Sequence, residues 1–140
     1  MLFKFKFLFR KKKNRKIDMY DISDEDLSSI ILKGAIIVDV RSPQEYEEGH
    51  LEGAILLPEY DIKKKAREVL PDKNKEIVLY CSSGTRSKKA QKELQSMGYT
   101  KVYNLYNGYQ NYWDFINFML KFFHNNSKRR KYETREYKKF

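Results

Sequence analysis

The most informative segment of the chain reads Ile77-Val78-Leu79-Tyr80-Cys81-Ser82-Ser83-Gly84-Thr85-Arg86-Ser87. Its apolar half predicts a buried strand that runs directly into Cys81, and the small polar residues that follow indicate a tight loop before a helix. In an open parallel sheet, ligands bind outside the carboxyl ends of the strands. We therefore expect Cys81 to lie at a ligand-binding edge of a sheet.

Three features of this loop favour a thiolate at Cys81. A short run of small residues from Ser82 to Thr85 lets successive backbone N–H groups converge on one anion. The helix that begins near Ser87 directs the positive end of its dipole at the same point. Arg86 adds a permanent charge whose shape suits oxyanions. Such surroundings lower the pKa of a cysteine below its ordinary ~8.5 and make the sulfur a nucleophile. The structural alternative is a buried, inert thiol, because free cysteine is often buried.

Short β-branched runs alternate with helical patterns on both sides of this segment, which predicts an α/β architecture. The motif Ser42-Pro43-Gln44-Glu45 combines an N-cap, a proline at the first helical position and a capping-box acid. The predicted strands are 35–40, 54–57, 76–80 and 101–105. The predicted helices are 24–33, 43–48, 60–69 and 86–97, followed by an amphipathic helix that begins near Tyr109.

Three segments, in this order and at this spacing, resemble the signature segments of the rhodanese family. They are Asp39-Val40-Arg41-Ser42, residues 45–54 (EYEEGHLEGA) and Cys81-Ser82-Ser83-Gly84-Thr85-Arg86-Ser87. The resemblance covers roughly residues 20–115. It implies an open, doubly wound parallel sheet of about five strands with helices on both faces. It also implies a single-domain sulfurtransferase that carries sulfane sulfur as a persulfide and passes it to a thiol or a cyanide-type acceptor.

The same resemblance assigns roles to single residues. Cys81 is similar to the sulfur-accepting nucleophile, and Arg86 is similar to the oxyanion contact. Asp39 and Arg41 resemble an acid and a base beside the site, for which we expect a structural salt bridge rather than direct chemistry. His50 resembles part of a turn, and a general base is the alternative role for it. The residues similar to the loop that holds the outer sulfur are Ser82, Ser83, Gly84, Thr85 and Arg86. No cofactor and no metal are implied.

Two departures from the family pattern bear on the substrate. Many members have a basic residue directly after the cysteine, where this chain has Ser82, so the loop offers less positive charge to a dianion such as thiosulfate. The usual Gly-Gly after the last strand is Asn107-Gly108 here, and either Tyr112 or Trp113 stands for the usual aromatic residue. We expect this second departure to shift only the start of a helix.

Two other functions remain open at this stage. A phosphatase or arsenate reductase of the same fold resembles a Cys-x5-Arg loop, whereas the spacing from Cys81 to Arg86 is one residue shorter. A shorter loop makes a tighter anion site, which suits one sulfur atom better than a phosphate. A non-catalytic binding or regulatory module is the other alternative, and the intact cysteine loop argues against it.

The charge of the chain is concentrated at its two ends. The formal net charge is +10, yet residues 17–117 hold 13 basic against 17 acidic residues. Residues 1–16 hold 8 Lys/Arg and no acid, and residues 118–140 hold 8 against 2. A basic nucleic-acid-binding face on the domain body is therefore not expected. The alternation of Phe and Lys near the N-terminus is compatible with contact to an anionic membrane surface and equally with a disordered or loosely packed extension.

These patterns divide the chain into three parts. We predict a basic, aromatic N-terminal extension at 1–17, a rhodanese-like domain at 18–117 and a basic C-terminal extension at 118–140 that continues the last helix. The only cysteine is Cys81, so no disulfide can form within the chain, which fits a reducing compartment. We expect a cytoplasmic protein whose partners are a small sulfur donor and a thiol acceptor, and the N-terminal extension leaves open a peripheral contact with the membrane.

Overall fold

The structure is a computed structural model that describes residues 16–136, with side chains described as far as His124. The predicted membrane contact of the Phe/Lys segment falls on residues outside this range. The predicted secondary structure can be compared throughout the domain.

Five parallel strands form one sheet. They are β1 (Asp21–Ile22), β2 (Ile36–Asp39), β3 (Ile55–Leu56), β4 (Ile77–Tyr80) and β5 (Val102–Leu105), in the spatial order β1-β5-β4-β2-β3. The central strand β4 pairs with β2 on one side and with β5 on the other. Parallel neighbours bury their strands on both faces, which explains the uninterrupted apolar run of β4. The sequence did not predict β1, which pairs with β5 through Asp21 and Ile22.

Five helices connect and flank the strands. They are α1 (Asp24–Leu32), α2 (Pro43–Glu47), α3 (Ile62–Val69), α4 (Thr85–Ser96) and α5 (Gly108–Glu136), with a 3-10 turn at Glu59–Asp61. Ser42 closes the predicted capping box at the start of α2, and Ser23 closes a capping box at the start of α1. The predicted helices and the four predicted strands are confirmed, with ends that shift by one or two residues.

The hydrophobic core has two halves, one on each face of the sheet. One half packs α3 and α4 against the sheet through residues such as Ala66, Ala90 and Leu94. The other half packs α1 and the start of α5 against the opposite face through Leu27, Tyr109 and Tyr112. The helices therefore cover both faces, and the predicted fold class is confirmed.

The last helix, α5, extends past the core. Beyond Trp113 its large apolar side chains are mostly exposed, among them Phe118, Leu120, Phe122 and Phe123. No helix within the described part of the chain is long and apolar enough to cross a membrane.

Candidate active site

The Cys81 sulfur lies at the carboxyl end of β4, where hydrogen-bond donors converge on it. The Gly84 amide nitrogen is 3.1 Å from Cys81 Sγ, and the amide and the hydroxyl of Ser87 each approach to 3.4 Å. Gly84 has a φ of +84°, a left-handed conformation that suits glycine and turns the chain from the loop into α4. The loop and the first turn of α4 thus enclose one anion-sized position.

Two opposing influences set the protonation of Cys81. The side chain is 1% exposed, and burial by itself raises the pKa of a thiol. Hydrogen bonds from the Ser87 hydroxyl and from the amides of Ser87, Ser83 and Gly84 outweigh burial, so the pKa of Cys81 lies below its ordinary value. The groups that favour the thiolate form of Cys81 are thus mainly uncharged donors.

The start of α5 binds the backbone carbonyls of the Cys81 loop. The Tyr109 amide donates to the Cys81 carbonyl at 2.8 Å, and the Gln110 amide donates to the Ser82 carbonyl at 3.4 Å. A Cβ at Gly108 would lie 2.3 Å from the Ser82 carbonyl oxygen, so only glycine permits this approach. With these carbonyls bound behind the loop, its amide groups remain available to face the sulfur.

Arg86 is paired with a carboxylate. Its two terminal nitrogens donate to Glu45 at 2.7 and 2.8 Å in a bidentate contact, and Ser82 Oγ donates to the same carboxylate at 3.1 Å. These hydrogen bonds from Arg86 hold the pKa of Glu45 well below its usual range, and partial burial opposes them only in part. The Cys81 thiolate also contributes to raising the pKa of Arg86, although Glu45 contributes most. The predicted contact between Arg86 and a bound oxyanion therefore stays a prediction.

Asp39 and Arg41 form a buried ion pair at the end of β2. The Arg41 guanidinium donates to both oxygens of Asp39 and also to the Gly49 carbonyl at 2.6 Å. The Tyr80 hydroxyl donates to Asp39 at 2.8 Å and accepts from the Leu51 amide. Burial and the nearby Asp39 carboxylate raise the pKa of Tyr80, which keeps it a neutral donor. This network joins the end of β2 to β4 and to the chain that follows α2.

His50 lies outside the sulfur site. Its ring stacks on Tyr46 with centroids 3.7 Å apart, and its Nδ1 lies 2.8 Å from the Tyr46 carbonyl oxygen. The side chain is exposed, and its described contacts tie it to the turn after α2. No group of three or more potential metal-ligating side chains lies together in the part of the chain that the structure describes.

The comparison with protein families agrees with this geometry. The model of the family described as rhodanese-like domain matches residues 23–114. The chain belongs to the rhodanese-like domain family. The match includes Asp39, Arg41, the loop from Cys81 to Arg86 and the Gly108 contact behind it.

Curated relatives of this rhodanese-like chain include sulfurtransferases. It is 40% identical over 67 residues to the thiosulfate sulfurtransferase PspE of Escherichia coli, an alignment that covers 48% of this chain and 64% of that protein. It is 34% identical over 105 residues to the thiosulfate:glutathione sulfurtransferase of Saccharomyces cerevisiae, covering 65% of this chain and 75% of that protein. A tRNA uridine(34) hydroxylase of Buchnera aphidicola is 33% identical over 102 residues, covering 70% of this chain and 33% of the hydroxylase.

These relatives differ in how much of their length is matched. The chain spans less than two thirds of PspE, and about a third of the hydroxylase. Among solved structures, the human single-domain sulfurtransferase TSTD1 matches with a TM-score of 0.63 at 25% identity, covering 69% of this chain and 97% of TSTD1. The rhodanese-like fold of this chain is therefore that of single-domain sulfurtransferases.

Sequence reasoning missed two residues of the rhodanese-like site. Glu45 was interpreted only as a capping-box acid, and Ser87 only as the start of a helix. The signal for Glu45 was its place in the second signature segment, and the signal for Ser87 was its position one residue after Arg86. Neither position by itself indicates which atom the side chain contacts.

Proposed function

We propose that this chain is a sulfurtransferase that carries sulfane sulfur as a persulfide on Cys81. The observation that carries the proposal is the convergence of the Gly84 amide, the Ser87 amide and the Ser87 hydroxyl on Cys81 Sγ. Hydrogen bonds to a charged acceptor are the strong ones, and here several point at one sulfur. The same donors suit the outer sulfur of a persulfide anion, which bears the negative charge after loading.

The reaction proceeds by two displacements. The Cys81 thiolate attacks the outer sulfur of a donor such as thiosulfate, an S–S bond forms, and the donor's own S–S bond breaks with its electron pair leaving on sulfite. An acceptor, either a thiolate or cyanide, then attacks the outer sulfur of the Cys81 persulfide. The pair of electrons returns to Cys81 as a thiolate, so the cycle needs no external oxidant. The names of the Escherichia coli and yeast relatives support thiosulfate as a donor, and the yeast name supports glutathione as an acceptor.

The phosphatase alternative is less well supported by the site. A phosphate needs an arginine whose terminal nitrogens can reach its oxygens, and both terminal nitrogens of Arg86 already contact Glu45. The loop from Cys81 to Arg86 is also one residue shorter than the Cys-x5-Arg spacing of that class. A non-catalytic binding module does not require hydrogen-bond donors directed at a cysteine thiolate.

The proposal is tested by intact-mass spectrometry after incubation with thiosulfate. We expect an addition of ~32 Da that disappears on treatment with cyanide and yields one equivalent of thiocyanate. Cys81→Ser should show neither the added mass nor turnover, because a hydroxyl cannot form a persulfide. Turnover that persists in Cys81→Ser would show that sulfur is carried elsewhere, and the proposal would then be wrong.

A further inference from the structure

Every basic residue in the first turn of α4 faces a carboxylate. Arg86 is paired with Glu45, and Lys88 contacts Asp18 at 2.6 Å and Asp21 at 3.1 Å. Lys89 contacts Glu59 at 2.8 Å on the surface. The turn that follows Cys81 thus contains three cations between 85 and 89, and each has a negative partner.

Of these ion pairs, the one between Glu45 and Arg86 affects the charge around the Cys81 sulfur. Arg86 ends the loop, and its guanidinium donates to Ser82 Oγ, on the residue next to Cys81, at 3.3 Å. Glu45 engages both terminal nitrogens of that guanidinium and also accepts a hydrogen bond from Ser82, the residue next to the cysteine. A carboxylate so placed cancels most of the field of Arg86 at a second charged group of a bound donor.

The remaining donors around the sulfur are neutral dipoles. Backbone amides and a serine hydroxyl can match the single negative charge of a sulfane sulfur or a persulfide anion. Thiosulfate carries a second full negative charge on its leaving group. The first turn of α4 offers no unpaired cation to compensate for the water that this charge loses on binding. The cost of removing that charge from water then reduces the rate with the dianion.

We propose that Glu45 is a positioning residue that, by pairing Arg86, makes the site select monoanionic sulfur donors over dianionic ones. This inference rests on the proposed sulfurtransferase function and names the class of its donor. The favoured donors are alkyl thiosulfonates and organic persulfides whose only nearby charge lies on the sulfur that is transferred. Thiosulfate remains a poorer donor of the same kind.

The step balances for both donor classes. With methanethiosulfonate, the Cys81 thiolate forms a bond to the sulfane sulfur, the donor S–S bond breaks, and methanesulfinate leaves with the electron pair. With thiosulfate the leaving group is sulfite, which carries one more negative charge. Both donors have a tetrahedral sulfonyl centre. Methanethiosulfonate has a methyl group where thiosulfate has a negatively charged oxygen, so the comparison isolates the effect of charge.

The test compares kcat/KM for methanethiosulfonate and for thiosulfate at fixed ionic strength, with cyanide as the acceptor. Glu45→Gln leaves Arg86 without its carboxylate while glutamine still suits the third position of the capping box. We expect the ratio of thiosulfate to methanethiosulfonate activity to rise about tenfold in this variant. The ratio cancels the intrinsic reactivity of each donor and any general damage to the site.

Two further variants complete the test. Glu47→Gln removes the same charge from the exposed face of α2 and should leave the ratio at the wild-type value. Ser82→Lys adds a cation beside Cys81 without removing Glu45 and should raise the ratio in the same direction, which decides the question if Glu45→Gln does not fold. If Glu45→Gln folds and changes the ratio by no more than twofold, the inference is wrong although sulfur transfer stands. If it does not fold, an unchanged ratio in Ser82→Lys overturns the inference. If the wild type takes sulfur from neither donor, the proposed function fails and the inference with it.

Discussion

At the scale of single residues, Ser87 contributes to the site through two groups at once. Its amide and its hydroxyl both lie 3.4 Å from Cys81 Sγ, and the side chain is completely buried. A conservative substitution can remove the hydroxyl, whereas the Gly84 and Ser87 amides belong to the backbone. The hydroxyl therefore gives experimental access to the pKa of Cys81.

We expect Ser87→Ala to raise the pKa of Cys81 by about one unit, since a hydrogen bond to a charged group is worth about 1.5 kcal/mol or more. In the wild type, hydrogen bonds lower this pKa against the effect of burial, so the thiolate forms at a pH below that of a free cysteine. The ultraviolet absorbance of the thiolate follows its formation, and Cys81→Ser supplies the background from tyrosine.

The matched control is Ser96→Ala, which removes an exposed hydroxyl from the same helix. Its titration should coincide with that of the wild type. A wild-type midpoint at or above that of a free thiol would contradict the reading of the loop as an anion site. An unchanged midpoint in Ser87→Ala would show that the backbone amides alone set the pKa.

At the scale of elements, the active loop depends on a contact between the ends of two different strands. The loop follows β4, whereas Gly108 and Tyr109 begin the helix that follows β5. The carbonyls of Cys81 and Ser82 accept hydrogen bonds from the first turn of α5, which acts here as an N-terminal donor for a neighbouring loop. The geometry of the site is thus shared between two connections.

We expect Gly108→Ala to destabilise the protein by about 3 kcal/mol or more and to disrupt sulfur loading. The matched control is Gly53→Ala, because Gly53 has nearly the same φ (+77° against +79°) but no atom within 4 Å of its added Cβ. That variant should lose only about 1–2 kcal/mol from backbone strain. Urea unfolding measures both free energies, and equal losses would show that the contact with Ser82 contributes nothing.

The strands and helices also show which features of the fold can be predicted from the sequence. Strand β4 and the caps of α1 and α2 were predictable because apolar runs and capping boxes are local patterns. Strand β1 was not, because Asp21 and Ile22 contain no apolar run and are strand only through β5. The pair of Glu45 and Arg86 joins residues 41 positions apart, and the departure at Asn107-Gly108 was expected only to shift a helix start. In the structure, Gly108 lies so close to the loop that an added Cβ would overlap the Ser82 carbonyl.

At the scale of the whole molecule, α5 has two parts with different surroundings. Its first turns pack Tyr109 and Tyr112 against the core, whereas Phe118, Leu120, Phe122 and Phe123 are 51–63% exposed. The predicted domain boundary at residue 117 falls between these parts. The structure therefore offers a direct test of that boundary.

We expect a chain that ends at Asn117 to keep its free energy of unfolding within about 1 kcal/mol of the full chain, because the described side chains that it loses, at 118–124, are mostly exposed. It should also load sulfur from thiosulfate, measured by intact mass. A chain that ends at Asn107 removes Gly108, Tyr109 and Tyr112, and should neither unfold cooperatively nor load. If the chain ending at Asn117 also fails to fold, the domain extends beyond the predicted boundary.

The pairing of β1 with β5 also bears on the order in which the fold forms during synthesis. Asp21 and Asn104 are neighbours in the sheet but lie 83 residues apart in the chain. At synthesis rates of about 5–20 residues per second, β1 leaves the ribosome roughly 4–17 s before its partner. Cys81 emerges ahead of Tyr109, the residue that binds its carbonyl. We therefore expect the backbone of the Cys81 loop to reach its final geometry only after the first turn of α5 has emerged.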